Sequence, residues 1–245
     1  NGGDKISEGG YGCVYHPALK CDGSEMKSRK YISKLQVNDY AGKNEIRISN
    51  MIRKIPLYKD FFVPIQSFCK LNKTELSAGM IQKCEPLKNK KGIDFLLMKM
   101  KYIKGDTLYN YLASIQSPKQ LIHEIIHTYN YLSQSISLLL KHGIIHYDLK
   151  SSNVMYSTEY NTPYIIDFGL SISVKDLMSS KNVLRDIFYI YSPDYYIWSP
   201  EIHILNYIIN VDDQLDEYKI RTICKEIIRN NRVYKQIFSK TQIKD

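Results

Sequence analysis

Apolar residues recur at spacings of three and four between Leu121 and His142, at Ile122, Ile125, Ile126, Tyr129, Leu132, Ile136, Leu139 and Leu140. That period predicts a long core helix. His142-Gly143 closes it, the glycine accepting the left-handed backbone that a helix end needs. Ile46, Ile48, Met51 and Ile52 give a looser helical pattern from about Ala41 to Lys54. Elsewhere the pattern is shorter. Residues 4–35 read as short strands with a glycine-rich turn and a second turn at Asp22-Gly23. Tyr31 to Leu35 is a strand whose bulkier side chains alternate, and Phe61 to Phe68 and Phe95 to Tyr102 also read as strands, the last ended by Gly105-Asp106. Two short apolar strands are expected around Val154-Met155-Tyr156 and Tyr164-Ile165-Ile166. The plan is α+β: a mostly β lobe over residues 1–102, a hinge near 101–105, and a mostly α lobe over 103–245.

Composition changes this picture little. With 245 residues, 44% hydrophobic and 24% charged, the chain has the make-up of a globular protein with room for one large domain or two small lobes. No apolar run approaches the roughly 20 residues that cross a bilayer, so no membrane association is expected. The polar opening Asn1-Gly2-Gly3-Asp4 does not have the form of a secretory leader, and the missing initiator Met is expected of a fragment. The five cysteines, Cys13, Cys21, Cys69, Cys84 and Cys224, are odd in number, scattered and without a CxxC pair, so reduced thiols of a cytosolic protein are expected.

The net charge of +9 falls entirely in residues 1–102, while 103–245 is neutral. A basic half raises the question of nucleic acid. The lysines are spaced singly, however, and no nucleic-acid motif accompanies them, so they read as a solvated surface.

The chemistry-bearing stretch is His146-Tyr147-Asp148-Leu149-Lys150-Ser151-Ser152-Asn153, followed 14 residues after Asn153 by Asp167-Phe168-Gly169. Phosphoryl transfer needs a base beside the attacking hydroxyl, cations on the phosphates, and carboxylate or amide oxygens for Mg²⁺. One irregular loop carrying an Asp, a Lys two residues on and an Asn five residues on supplies such a set, and an Asp after an apolar strand completes it.

These residues resemble the catalytic loop and DFG segment of the eukaryotic-type protein kinases. The resemblance implies a bilobal fold with a β-rich N-lobe and a mostly helical C-lobe. It implies Asp148 as the base toward the substrate hydroxyl, Lys150 as the γ-phosphate contact, and Asn153 and Asp167 as ligands of Mg²⁺, with Mn²⁺ as a substitute. Ser7-Glu8-Gly9-Gly10-Tyr11-Gly12-Cys13-Val14 resembles the kinase glycine-rich loop, Ser7 standing where its first glycine normally sits. Lys34 then looks like the strand lysine on the α/β-phosphates, and Glu45, eleven positions on, like its partner on the following helix. Met100-Lys101-Tyr102-Ile103 resembles the hinge that pairs with adenine, Met100 being the gatekeeper. Ser199-Pro200-Glu201 resembles the Ala-Pro-Glu that closes the activation segment. ATP and a protein bearing serine or threonine are thus the implied partners. Lys150 is more like Ser/Thr kinases than tyrosine kinases.

Two departures from the family pattern stand out. Tyr147 replaces the arginine usually found before the catalytic Asp, which removes a phosphate clamp, so activity is expected without phosphorylation at Ser179 or Ser180. Only 44 residues follow Glu201, and Asp212-Asp213 is a poor stand-in for the usual next helix start, so a shortened C-lobe is expected. The Tyr-, Ile- and Lys-rich composition and the stretch Tyr195 to Glu201 resemble Ser/Thr kinases of large DNA viruses, implying host cytoplasm or virion. The alternatives are a pseudokinase scaffold and a kinase-fold small-molecule phosphotransferase.

Overall fold

Strands β1 (Asp4–Gly9), β2 (Gly12–His16), β3 (Tyr31–Val37), β4 (Ser67–Leu71) and β5 (Phe95–Lys101) form an antiparallel sheet in the order β1-β2-β3-β5-β4. This is a computed structural model describing residues 3–9, 12–22, 24, 26–72, 84–88, 94–179 and 181–237, with backbone alone at 181, 234, 235 and 237. Gly10, Tyr11, Gly23 and Ser180 therefore lie outside the described residues. The chain divides into two compact units, Asn1–Ser173 and Val174–Asp245.

Strand alternation sorts the sheet into two faces. Leu35 pairs with Cys13 and with Leu97, and these three join Tyr15, Leu71, Leu87 and Phe95 in one buried cluster. On the other face Lys34 pairs with Val14 and with Met98, while Ile32 pairs with Met100. Gly12 belongs to the close approach of β2 to β3, since a Cβ there would lie 2.1 Å from the Leu35 carbonyl oxygen. Helix α1 (Tyr40–Ile52) starts at Asp39, whose carboxylate accepts the Gly42 N–H at 2.9 Å, and buries Glu45, Ile48 and Ile52. Short helices α2 (Tyr58–Phe61) and α3 (Glu85–Lys88) flank the sheet strands in sequence.

The rest of the first unit is α4 (Leu108–Ser114), α5 (Pro118–Lys141), a sheet of β6 (Gly105–Thr107), β8 (Val154–Ser157) and β9 (Thr162–Ile165), and the ribbon β7 (Ile144–Ile145) with β10 (Ile172–Ser173). Ser117 caps α5 by accepting the Gln120 N–H, with Pro118 in the first helical position. The second unit carries α6 (Val174–Leu177), α7 (Lys181–Ile187), α8 (Pro200–Asn210), α9 (Glu217–Asn230) and α10 (Arg232–Ile237). Ile223 and Ile227 form the buried stripe of α9, and Trp198 lies edge-on to Tyr195 and His203.

Three expectations are corrected. Residues 61–68 do not form one strand: Phe62, Val63 and Ile65 are core contacts, and the ladder begins at Ser67. In α5 the period is right but the outcome is not uniform. Ile122, Ile125, Ile126, Tyr129 and Leu140 are exposed, and the buried positions are Thr128, Ser135 and Leu139. The cysteines are not all free thiols. Cys13–Cys84 and Cys21–Cys69 are disulfides, leaving Cys224 free. Sequence scatter hid these pairs because their partners lie 71 and 48 residues apart and meet only when the sheet forms.

Candidate active site

Lys34 stands on the middle strand of the sheet, on the face turned to α1. Its Nζ lies 2.8 Å from Glu45 Oε2 and 3.2 Å from Asp167 Oδ1. Burial works against the ammonium charge, but Asp167 and Glu45 outweigh it and hold Lys34 well above the usual lysine range. For Asp167, burial works against the carboxylate, and Lys34 outweighs it, so this carboxyl sits below its ordinary range. Glu45 moves the other way: burial pushes it up and the Asp167 charge adds to that, against the pull of Lys34. One cation thus bridges two carboxylates from segments 122 residues apart in sequence.

The loop before β8 builds the second half. Tyr147 and Asp167 each adopt positive φ, 65° and 61°, turning the backbone sharply beside both acids. His146 is buried under Phe168 with ring centroids 5.2 Å apart. Its Nε2 donates to the Ile166 carbonyl at 3.1 Å and its Nδ1 accepts the Asp148 N–H at 3.3 Å. Burial pushes this imidazole below its usual range, which agrees with a neutral ring using one nitrogen as donor and the other as acceptor. Asn153 closes a 3₁₀ turn over Ser151–Asn153, and its Nδ2 donates to Asp148 O at 2.9 Å and Asp148 Oδ2 at 2.8 Å. Lys150 Nζ lies 3.1 Å from Asp148 Oδ1.

Phe168 anchors the following segment. It packs with Ile48, Ile52, Phe62, Leu139, Ile144 and Ile165, so α1 and α5 share one core through it. Asn44 adds a polar tie that the sequence reading missed. Its Nδ2 donates to the Gly169 and Ser171 carbonyls at 2.9 and 2.8 Å, while its Oδ1 accepts from Arg47 at 2.8 Å. The available signal was an amide on the buried face of α1, next to Glu45.

Lys34, Glu45, Asp148 and Asp167 therefore line one cleft, with Gln36, Ala41, Gly169 and Leu170. Lys150 and Asn153 join it through Asp148. Val14 stands directly across from Lys34. Met100 and Ile103 are buried with Met98, while Tyr102 donates its N–H to Lys30 O at 2.9 Å and stacks on His16. Lys101 ends β5, its ammonium over the Tyr164 ring. Ser7, Glu8 and Gly9 lie on exposed β1, where Glu8 is turned to Lys5 at 2.7 Å; Gly10 lies outside the described residues. Ser199-Pro200-Glu201 opens α8 of the second unit.

The sequence pattern of the protein kinase domain matches residues 1–236, and the chain belongs to that family. A probable serine/threonine-protein kinase of fowlpox virus, FPV226, is 27% identical over 201 residues, covering 77% of this chain and 62% of that protein. A probable serine/threonine-protein kinase of Dictyostelium discoideum, fnkB, is 41% identical over 75 residues, 30% of this chain and 14% of that protein. The EKC/KEOPS complex subunit bud32 of the same organism is 33% identical over 98 residues, 39% of each chain. The chain thus spans less than two thirds of the length of these relatives.

Proposed function

We propose that this protein transfers the γ-phosphoryl group of ATP to serine or threonine hydroxyls of protein substrates, in a Mg²⁺-dependent reaction that Mn²⁺ also supports. The observation that carries the reading is the convergence of Lys34, Glu45, Asp148, Asn153 and Asp167 on one cleft. The donor set fits a hard cation and a polyphosphate. Asp167 is held ionised, and Asn153, with its amide nitrogen committed to Asp148, keeps its amide oxygen as a ligand. When bound, the magnesium nucleotide supplies the phosphoryl group and neutralises charge between its phosphates.

The chain's own residues do the rest. Asp148 orients the incoming hydroxyl and accepts its proton, Lys150 beside it offsets γ-phosphate charge, and Lys34, positioned by Glu45, holds the α/β-phosphates. Ser7, Glu8, Gly9, Gly10, Gly12 and Val14 would cover the nucleotide, and Met100, Lys101, Tyr102 and Ile103 would border the adenine. The presence of Lys34, Asp148, Asn153 and Asp167 together favours turnover over a scaffold role. Lys150 and Ser199-Pro200-Glu201 favour protein over small-molecule acceptors. Host cytoplasm or virion is the proposed location, on the resemblance of the composition and of Tyr195 to Glu201 to kinases of large DNA viruses.

The test is transfer from labelled ATP with Mg²⁺ to generic acidic and basic proteins, followed by phosphoamino-acid analysis. Asp148→Ala, Lys34→Met and Asp167→Asn are each expected to lower transfer by about a hundredfold or more. A folded wild-type chain that binds Mg²⁺-ATP without turnover would establish the scaffold instead.

A further inference from the structure

A second cluster of titratable groups lies on the first turns of α5, apart from the cleft. His123-Glu124-Ile125-Ile126-His127 places two imidazoles at i and i+4, on one face of a helix, with a carboxylate between them. The two rings are parallel within 6°, with centroids 6.5 Å apart. Both are open to solvent, the side chains 75% and 41% exposed.

The carboxylate holds His123 from beneath and faces His127 at longer range. Glu124 is only 15% exposed, and its Oε2 accepts the Tyr156 hydroxyl at 3.0 Å, so β8 fixes its position. The Tyr156 ring is in turn stacked on Tyr111 of α4, with centroids 3.7 Å apart. His123 Nδ1 lies 3.3 Å from Glu124 Oε1, and His127 Nδ1 lies 4.0 Å from Glu124 Oε2. A neutral imidazole donating through Nδ1 carries its lone pair on Nε2. Carboxylates placed this way behind metal-bound histidines fix the tautomer and raise ligand basicity.

We propose that His123 and His127 bind a divalent transition-metal ion through their Nε2 atoms, with Glu124 as the carboxylate behind them. Imidazole nitrogen selects zinc, nickel or copper over magnesium, which requires oxygen. Chelation requires the two exposed rings, parallel and 6.5 Å apart, to turn about χ1 and χ2 toward a common ion. The two imidazoles supply two ligands, and water or an exogenous ligand completes the coordination.

The same His-Glu-x-x-His spacing serves metalloproteases, whose Glu acts as general base on metal-bound water. That chemistry does not fit here, because Glu124 is held by His123 and Tyr156. The site is one of binding.

The test is calorimetric titration of the full chain with Zn²⁺ in excess Mg²⁺, which occupies oxygen-rich sites. Binding of one ion per chain, lost in His123→Ala and in His127→Ala with unchanged circular dichroism, is the expected result. Glu124→Gln is expected to weaken it about 10- to 100-fold. Co²⁺ in place of Zn²⁺ gives a visible absorption band as a second readout. Absence of binding, or binding that survives both histidine substitutions, overturns the proposal. So does Glu124→Gln with full affinity, as regards the role of the carboxylate.

Discussion

His146 shows how one residue carries both position and pH dependence. Its ring joins the Ile166 carbonyl to the Asp148 amide, and burial holds its pKa below the reference 6.5. The unfolded chain then binds a proton near pH 6.5 that the folded chain refuses. Stability consequently falls as pH drops below about 6.5 and continues to fall until the folded ring itself protonates. Each such group contributes at most about 1.4 kcal/mol per pH unit in that window. His203, buried and lowered for the same reason, acts with the same sign. Chemical denaturation between pH 5 and 7.5 is expected to show this slope, reduced in His146→Gln and further in the double variant with His203→Gln. An unchanged slope in the double variant would place the proton uptake elsewhere.

Helix α1 couples the lysine strand to the segment that follows Asp167. Glu45 reaches Lys34 from one turn, and the neighbouring Asn44 holds the Gly169 and Ser171 carbonyls. This tie is made with neutral groups in a chain that has Tyr147 where its family usually places an arginine. Asn44→Ala leaves two buried carbonyls and Arg47 short of partners, a cost of about 1–3 kcal/mol. Beyond that loss, kcat is expected to fall about tenfold with little change in KM for ATP, and amide exchange to quicken across residues 167–173. Equal kcat in a folded variant would leave Asn44 with a packing role alone. Helices α1 and α5 were legible from period, Asp148, Lys150, Asn153 and Asp167 from their spacing, and Lys34 and Glu45 only from resemblance to the kinase pattern. Asn44 was not, because nothing in a polar side chain's position tells which carbonyls a distant segment will present. The apolar run from Phe61 to Ile65 misled in the opposite sense. Its hydrophobicity serves contacts with Phe168 and Tyr164, while the real strand beside it is the mostly exposed Ser67–Leu71.

At the scale of the molecule, the N-terminal sheet is closed by covalent bonds as well as by packing. Cys13 on β2 is joined to Cys84 ahead of α3, both within the buried cluster around Leu35 and Phe95, and Cys21 is joined to Cys69 on edge strand β4. The enclosed separations of 71 and 48 residues are long, so each crosslink removes much freedom from the unfolded chain. Crosslinks of this kind contribute about 2–4 kcal/mol each. Cys13 also lies between Gly12 and Val14, so one of these bonds holds the strand directly opposite Lys34. Thiol titration of the chain unfolded without reductant is expected to find one reactive thiol, Cys224, and five after reduction. The pair Cys13→Ser and Cys84→Ser is expected to lower the unfolding midpoint by on the order of 5–15 °C, and reduction, which opens both crosslinks, by roughly twice as much. Five thiols without reductant would show instead that packing around Leu35 and Phe95 holds the sheet with its cysteines reduced, and the midpoint would then not respond to reductant.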